Sequence, residues 1–299
     1  MKTIILLCAM VAWCWQSAHT APLRESKVTE IIKEVNLLPA SAATAAPATL
    51  NAVVKAPDRV RTGAESRTEL TAPDNTITRI GANTVFSFEN QGRVLNLEQG
   101  SLLFHSPKGA GGGTIKSGGA SAAVLGTTLL VAATADGGFK VIVLEGRGRV
   151  TLPNGRRVSL RAGQMVFVLP AGGGFSNVLD INLGKLVAGS LLVSGFSRQL
   201  PSQVLINTAV EKQNYYLARG RAVDTGISAD EFATAPKVPN GLNAMDLNSY
   251  QTAVHPALSA AQFAAQFTPP ANANGQKAPG FIGGPGGSGI VVISGSNAP

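Results

Sequence analysis

Thr76-Ile77-Thr78-Arg79-Ile80-Gly81-Ala82-Asn83-Thr84-Val85-Phe86-Ser87-Phe88 reads as two short strands joined at a glycine, and this reading sets the fold class of the chain. In each half, apolar and polar side chains alternate. That period of two turns one face of a strand toward a core and the other toward water. Val94, Leu97, Leu102 and Phe104 continue the series. Thr127 to Ala132 and Phe139 to Leu144 are more continuously apolar, as expected of strands buried on both faces. Val150-Thr151-Leu152, Val158-Ser159-Leu160 and Met165 to Leu169 close the run.

The punctuation between these runs carries as much information as the runs themselves. Pro73-Asp74-Asn75 and Pro153-Asn154-Gly155 are each suited to a tight reversal, because Pro presets φ while Asn and Gly tolerate positive φ. Gly63, Gly81, Gly92, Gly100, Gly118, Gly126, Gly138, Gly146 and Gly163 recur at the spacing of successive short strands. The pattern predicts a mainly β domain over residues 55–170, a compact β-sandwich, jelly roll or β-roll.

On the N-terminal side, Met1-Lys2-Thr3 precedes an apolar run from Ile4 to Trp15, and small residues follow at Ala18, Thr20 and Ala21. This is the layout of a secretory leader over residues 1–21. The run ends after about 12 residues, where a membrane-spanning helix needs about 20, so no transmembrane anchor is expected after leader removal. Cys8 and Cys14 both fall inside the leader, which excludes disulfides and thiolate metal sites from the processed protein. Leu7 before Cys8 and Trp13 before Cys14 do not fit a lipidation site. Residues 22–54 read as an N-terminal segment and linker. Ser26 to Leu38 has spacings that suit a helix or a strand, and Ala40 to Thr49 is a low-complexity Ala, Thr and Pro stretch.

Beyond Pro170 the strand signal fades, and residues 171–268 are expected to be partly helical. Val204, Leu205, Thr208, Ala209, Lys212, Gln213 and Tyr216 fit one helical face after Pro201, with Ser202 placed to cap it. A second amphipathic run surrounds Ala260 to Phe267. Residues 269–299 are dominated by Pro, Gly, Asn and Ser and read as a disordered tail, with Ile290 to Ile293 as a possible strand.

The formal charge is +8, spread over scattered arginines, and aromatics make up only 5% of the chain. A basic balance favours polyanions in general. Nucleic-acid binding would require basic residues interleaved with aromatics or concentrated on one helix, so the expected partner is an envelope protein or an anionic envelope polymer. The stretch Lys108-Gly109-Ala110-Gly111-Gly112-Gly113-Thr114 lacks the Gly-Lys-Ser/Thr ending of a phosphate cradle and reads as a flexible loop. Lys108 and Lys116 flank it and could contact an acidic partner.

The materials for catalysis are sparse. His19 falls in the leader, His105 at a strand end and His255 in a loop before Pro256. His105 with Ser106 or Ser117 would be the only nucleophile-and-base pairing to consider, and an ordinary surface or strand-end histidine is the simpler reading. Glu65, Glu69, Glu98 and Glu145 each stand near arginines and read as surface ion pairs. No zinc motif is present, and no catalytic residue, cofactor site or metal site is expected.

Val60-Arg61-Thr62-Gly63-Ala64-Glu65-Ser66-Arg67-Thr68-Glu69-Leu70, with Pro73-Asp74-Asn75-Thr76 and Thr78 to Thr84, resembles the opening of FecR domains. Leu97-Glu98-Gln99-Gly100-Ser101-Leu102-Leu103-Phe104 and Ala123-Val124-Leu125-Gly126-Thr127-Thr128 are similar to the family's strand-and-glycine step and its Val-x-Gly-Thr element. Val143-Leu144-Glu145-Gly146 and Leu160-Arg161-Ala162-Gly163-Gln164 complete the order. The resemblance implies an envelope sensor or scaffold, since such proteins commonly relay signals between an outer-membrane receptor and a sigma factor. Signalling members carry a cytoplasmic segment and a full span before the domain, where this sequence has a short leader. The expectation is therefore a periplasmic or secreted, non-catalytic binding, sensing or scaffolding module. Signal relay to a separate regulator is the alternative, and a polysaccharide-processing enzyme a third.

Overall fold

The computed structural model describes residues 22–133, 138–168, 174–175 and 178–219. In chain order the first strands are β1 (Glu25–Ile32), β2 (Val35–Leu38), β3 (Ala46–Pro47), β4 (Val53–Lys55), β5 (Arg59–Thr62), β6 (Arg67–Thr71), β7 (Ile77–Ile80) and β8 (Val85–Phe88). The long strand β9 (Val94–His105) follows, then β10 (Gly113–Ser117), β11 (Ala120–Val124), β12 (Thr128–Ala133) and β13 (Phe139–Glu145). The last strands are β14 (Arg147–Thr151), β15 (Arg157–Arg161), β16 (Gln164–Val168) and β17 (Leu179–Asp180). Among the described residues, three helices come after them: α1 (Leu183–Gly189), α2 (Leu191–Ser194) and α3 (Gln203–Ala218).

The strands form two sheets that share β9. Sheet I has the order β4-β1-β6-β7-β9-β12-β13-β16-β17. Sheet II has the order β3-β2-β5-β8-β9-β10-β11-β14-β15. Among the described strands every pairing is antiparallel except that of β9 with β10. The chain swings repeatedly between the sheets, and Gly63, Gly81, Gly100, Gly126, Gly146 and Gly163 stand at the crossings. The glycine rhythm of the sequence is thus the rhythm of corners in a jelly-roll-like sandwich.

Gly100 shows why a corner needs glycine. Its φ is +87°, and a Cβ there would lie 2.3 Å from Thr84 Oγ1 and 2.6 Å from Thr84 Cα. Both tight turns form as expected. The Asn75 N–H donates to Ala72 O at 3.0 Å with Asn75 at φ +63°, and the Gly155 N–H donates to Leu152 O at 2.9 Å with Gly155 at φ +80°.

Two hydrophobic clusters hold the layers. Between the sheets, Phe86, Leu95, Ile115, Ala122 and Val150 of sheet II meet Leu70, Leu102, Phe104, Leu129 and Val141 of sheet I. Phe86 and Phe88 add an edge-to-face contact with centroids 5.0 Å apart. Such pairs contribute about 0.5–1.5 kcal/mol beyond the area they bury. On the far face of sheet I, Leu103, Leu130, Ile142, Leu144 and Phe167 pack against Leu183, Leu186, Leu192 and Ile206 of the helical segment. This second cluster is why β12 and β13 are buried along their whole length.

The structure corrects three expectations and resolves a fourth. Residues 22–54 are not a linker: β1 to β4 belong to the two sheets, and Leu23, Val28, Val35 and Val54 lie in the core. The low-complexity stretch supplies a short edge strand, where Pro47 removes no ladder bond. Ser26 to Leu38 resolves as strands β1 and β2. Helix α3 forms where expected, but its buried face runs through Ile206, Ala209, Val210 and Gln213, and Val204 is 74% exposed. Ser202 stands at the N-cap without a side-chain capping bond, because its hydroxyl is bonded to Thr128 Oγ1 at 2.7 Å instead. The expected run at Ala260 to Phe267 and the tail over 269–299 lie outside the described residues.

Candidate functional site

The β14–β15 hairpin pairs Arg147 with Arg161, Arg149 with Ser159 and Thr151 with Arg157. These residues alternate with Gly148, Val150 and Leu160, which are buried, so the first six share the solvent face of sheet II. The turn adds Arg156, also exposed. Inward-facing Val150, Leu152 and Leu160 give the hairpin its share of the core. Its outer face has four guanidiniums and no carboxylate.

That face stands out against the rest of the chain. Residues 22–99 hold nine Lys and Arg against nine Asp and Glu, whereas residues 100–178 hold eight against two. Of those two acids, Glu145 is buried. Arg161 reaches Asp180 Oδ1 at a long 3.7 Å. Arg147, Arg149, Arg156 and Arg157 have no acidic partner among the described residues. Like charges directly opposite on an antiparallel pair are destabilising, by about 0.2–1 kcal/mol, so the Arg147–Arg161 pairing works against folding. Charged residues on a sheet edge ordinarily protect it from aggregation, which would account for β15. It does not account for Arg147 and Arg149, since β14 is paired on both sides. Planar guanidiniums without partners are suited to bidentate contact with carboxylates, sulfates or phosphates.

The two lysines singled out in the sequence are separated in role. Lys108 is exposed in the turn before β10, while Lys116 lies on the outer face of β10 and pairs with Glu89 at 3.0 Å. The glycines between them shape a tight turn, and a Cβ on Gly112 would lie 1.9 Å from Val124 O. Glu65 pairs with Lys33 and Glu98 with Arg59 at 3.0 Å, both at the surface.

Glu69 and Glu145 depart from the expected surface pairing. Glu69 is 1% exposed and takes Arg79 Nε at 2.9 Å, Arg198 Nη2 at 2.8 Å and the Thr29 hydroxyl at 2.9 Å. Arg79 is fully buried. Its Nη1 donates to Leu192 O at 3.1 Å and Val193 O at 2.8 Å, its Nη2 donates to Arg198 O, and its guanidinium lies 4.4 Å from the centre of the Phe196 ring. The node joins sheet I to the end of α2. The alternating pattern puts Arg79 on the face away from the inter-sheet core, and nothing local reveals that helices cover that face.

His105 is also buried, at 5% exposure, at the end of β9. Its Nδ1 lies 2.9 Å from Thr128 Oγ1, which in turn lies 2.9 Å from Glu145 Oε1 and 2.7 Å from Ser202 Oγ. The structure therefore brings His105 to a threonine under helix α3, and not to Ser106 or Ser117. Burial, with a smaller contribution from the charge of Arg79, lowers the pKa of His105 to about 4. Burial raises that of Glu145, opposed by its Thr128 hydrogen bond and by Lys108.

A pH dependence follows with a definite sign. Because the folded state holds His105 neutral below its ordinary value of 6.5, the unfolded chain binds the extra proton first. The stability contributed by neutral His105 is complete above pH 6.5 and is lost as pH falls through about 4. Glu145 acts in the opposite sense, so the clean observable is the stability gap between the wild type and His105→Asn. That gap is expected to shrink by about 2–3 kcal/mol between pH 7 and pH 4.5, measured by urea unfolding. An unchanged gap would show that the ring titrates normally.

Comparison with known proteins gives one family. The family described as FecR protein matches residues 58–150, from the start of β5 into β14. No curated protein matches the chain. Two crystal structures of a candidate anti-sigma factor from Parabacteroides distasonis ATCC 8503, at 1.65 Å and 2.50 Å, are similar in part. Each is 20% identical with a TM-score of 0.35, over 39% of this chain and 57% of that one. The chain thus spans little more than half the length of that protein.

Proposed function

From a chain that carries a FecR domain over residues 58–150, we propose an exported, non-catalytic module that holds an anionic component of the bacterial envelope on the outer face of sheet II. The observation that carries this reading is the set of exposed arginines gathered on one face of β14 and β15, of which Arg147, Arg149 and Arg157 have no acidic partner among the described residues. Export rests on the leader pattern of residues 1–21. A surface built for a polyanion attracts its ligand through the summed field of its charges and loses that attraction as salt rises.

The double reversal R147E/R149E in the full chain is the direct test. Binding to dextran sulfate, followed by titration calorimetry at two salt concentrations, is expected to weaken by about tenfold or more, since two charge-assisted contacts are lost. Stability should hold or rise slightly, because Arg147 no longer faces Arg161 with a like charge. Wild-type binding that is absent, or that is indifferent to the reversal, would remove the reading.

Signal relay is the second reading, and the FecR match favours it. In that case the bound envelope component acts as the stimulus and a separate inner-membrane regulator receives it. A transcript profile that is the same with and without the gene would remove this reading while leaving anion binding intact.

A further inference from the structure

The outer face of sheet II carries a polar row that runs across the strands into the arginine face. Arg157 stands opposite Thr151, Thr151 opposite Ser121, Ser121 opposite Lys116, and Lys116 opposite Asn96. Neighbouring strands lie about 4.8 Å apart, so the row offers a hydrogen-bonding side chain at each such step over about 19 Å. Arg157 and Lys116 are exposed, and Thr151, Ser121 and Asn96 are half-buried. The row is therefore lower in its middle than at its charged positions. Arg149 lies two residues from Thr151 on β14, and the residue opposite it on β11 is the small Ala123.

We infer that this row binds a single chain of a carboxylated polysaccharide lying across strands β15, β14, β11, β10 and β9. The inference rests on the anion-binding reading above and names the class of ligand. Direction is the first argument. A peptide recruited to a sheet adds along an edge, parallel to the strands, where its main chain completes the ladder. This row crosses the strands, and on the edge strand β15 the Arg161 N–H is already bonded to Gln164 Oε1 at 3.1 Å.

Side-chain chemistry is the second argument. Single-stranded nucleic acid needs aromatic platforms for its bases, and the outward positions of β14 and β15 are Arg147, Arg149, Thr151, Arg157, Ser159 and Arg161. An anionic bilayer would be gripped by apolar anchors among the basic residues, and these six positions hold none. A polyuronate presents hydroxyls and carboxylates along one chain. Thr, Ser and Asn side chains both donate to and accept from hydroxyls, and guanidinium forks take carboxylates. The ammonium of Lys116 is engaged by Glu89, so the carboxylates fall to the arginines.

The test uses the full chain and five defined probes: polygalacturonate, neutral dextran, poly-L-glutamate matched in charge to the polygalacturonate, duplex DNA, and vesicles containing phosphatidylglycerol. Polygalacturonate is expected to bind at least about tenfold more tightly than any of the others, the excess coming from the hydroxyl contacts. S121A/N96A, two changes at half-buried surface positions, should weaken polygalacturonate by about three- to tenfold and leave poly-L-glutamate binding where it was. A wild-type melting temperature would certify that this variant is folded. Equal binding of poly-L-glutamate, DNA or vesicles, or indifference of polygalacturonate to S121A/N96A, overturns the polysaccharide assignment alone. If no polyanion binds, the anion-binding reading falls with it.

Discussion

Replacing Arg79 with alanine is expected to destabilise the protein by about 3–5 kcal/mol, the range found when one partner of a buried ion pair is removed. The reason is what the substitution leaves behind. Glu69 would be left at 1% exposure with only Arg198 and the Thr29 hydroxyl as partners. The carbonyls of Leu192, Val193 and Arg198 would each lose a charged donor in the space between sheet I and α2. Arg79→Lys should recover little, because three bonding directions in one plane are a property of the guanidinium and not of an ammonium. Urea unfolding measures the loss, and hydrogen exchange locates it. Amides in α1, α2 and α3 should lose protection before those in β9 and β12, since Arg79 ties the helical layer to the sheet. A loss below about 1 kcal/mol would mean that the pair contributes no more than a surface bridge.

Gly100→Ala should approach the same size by a different route, at about 3 kcal/mol or more. A left-handed backbone costs an L-residue about 1–2 kcal/mol, and forcing a methyl into filled space adds about 1–3 kcal/mol. The space is filled by backbone, with the α-carbon of Thr84 2.6 Å from the new Cβ, so no rotamer change relieves it. β9 passes from sheet II to sheet I at this residue, and both sheets pair to it on either side of the bend. The damage should therefore appear in both layers, as a lower melting temperature with a single unchanged transition. A variant as stable as the wild type would show that the corner can open at no cost. Relief of the strain by Thr84→Ala, which removes the nearest side-chain oxygen, should be partial because the backbone of residue 84 still occupies the space.

Much of this architecture is legible along the chain. Alternation at Thr76 to Phe88 is sufficient for β7 and β8, since a period of two has only one backbone that places its apolar members on one side. The glycine spacing is legible as well, although its meaning as corners between two sheets is not. The arginine face was within reach of the same reasoning. Once Val150, Leu152, Val158 and Leu160 are assigned inward, Arg147, Arg149, Arg157 and Arg161 can only face outward. What alternation does not supply is that the two arginine pairs sit side by side, which depends on the register set by the Pro153-Asn154-Gly155 turn.

Other features had no local signal. Arg79, Glu69 and His105 each stand at positions that alternation assigns to a solvent face, and they are buried because helices α1 to α3 cover that face. Glu145 has the parity of the inward Val141 and Val143 and comes opposite Thr128 only through the register shift between β12 and β13. The Ala, Thr and Pro stretch around β3 is weak in strand-forming residues and is ordered by pairing with β2. Helix α3 announced itself by composition, yet its buried face turned out to run through Gln213, whose amide accepts from Leu183 N–H at 2.8 Å and donates to Ile181 O at 2.7 Å.

The sequence by itself determined the class of the fold, the places where the chain reverses, and the outward direction of the arginines on β14 and β15, because each depends on a period or a conformation carried by a few adjacent residues. Only the tertiary structure decided which face of sheet I is covered, which ion pairs are buried and which polar side chains line up across β15, β14, β11, β10 and β9. Those outcomes depend on contacts between residues far apart in the chain, and a side chain carries no record of its distant neighbour until the sheets close on one another.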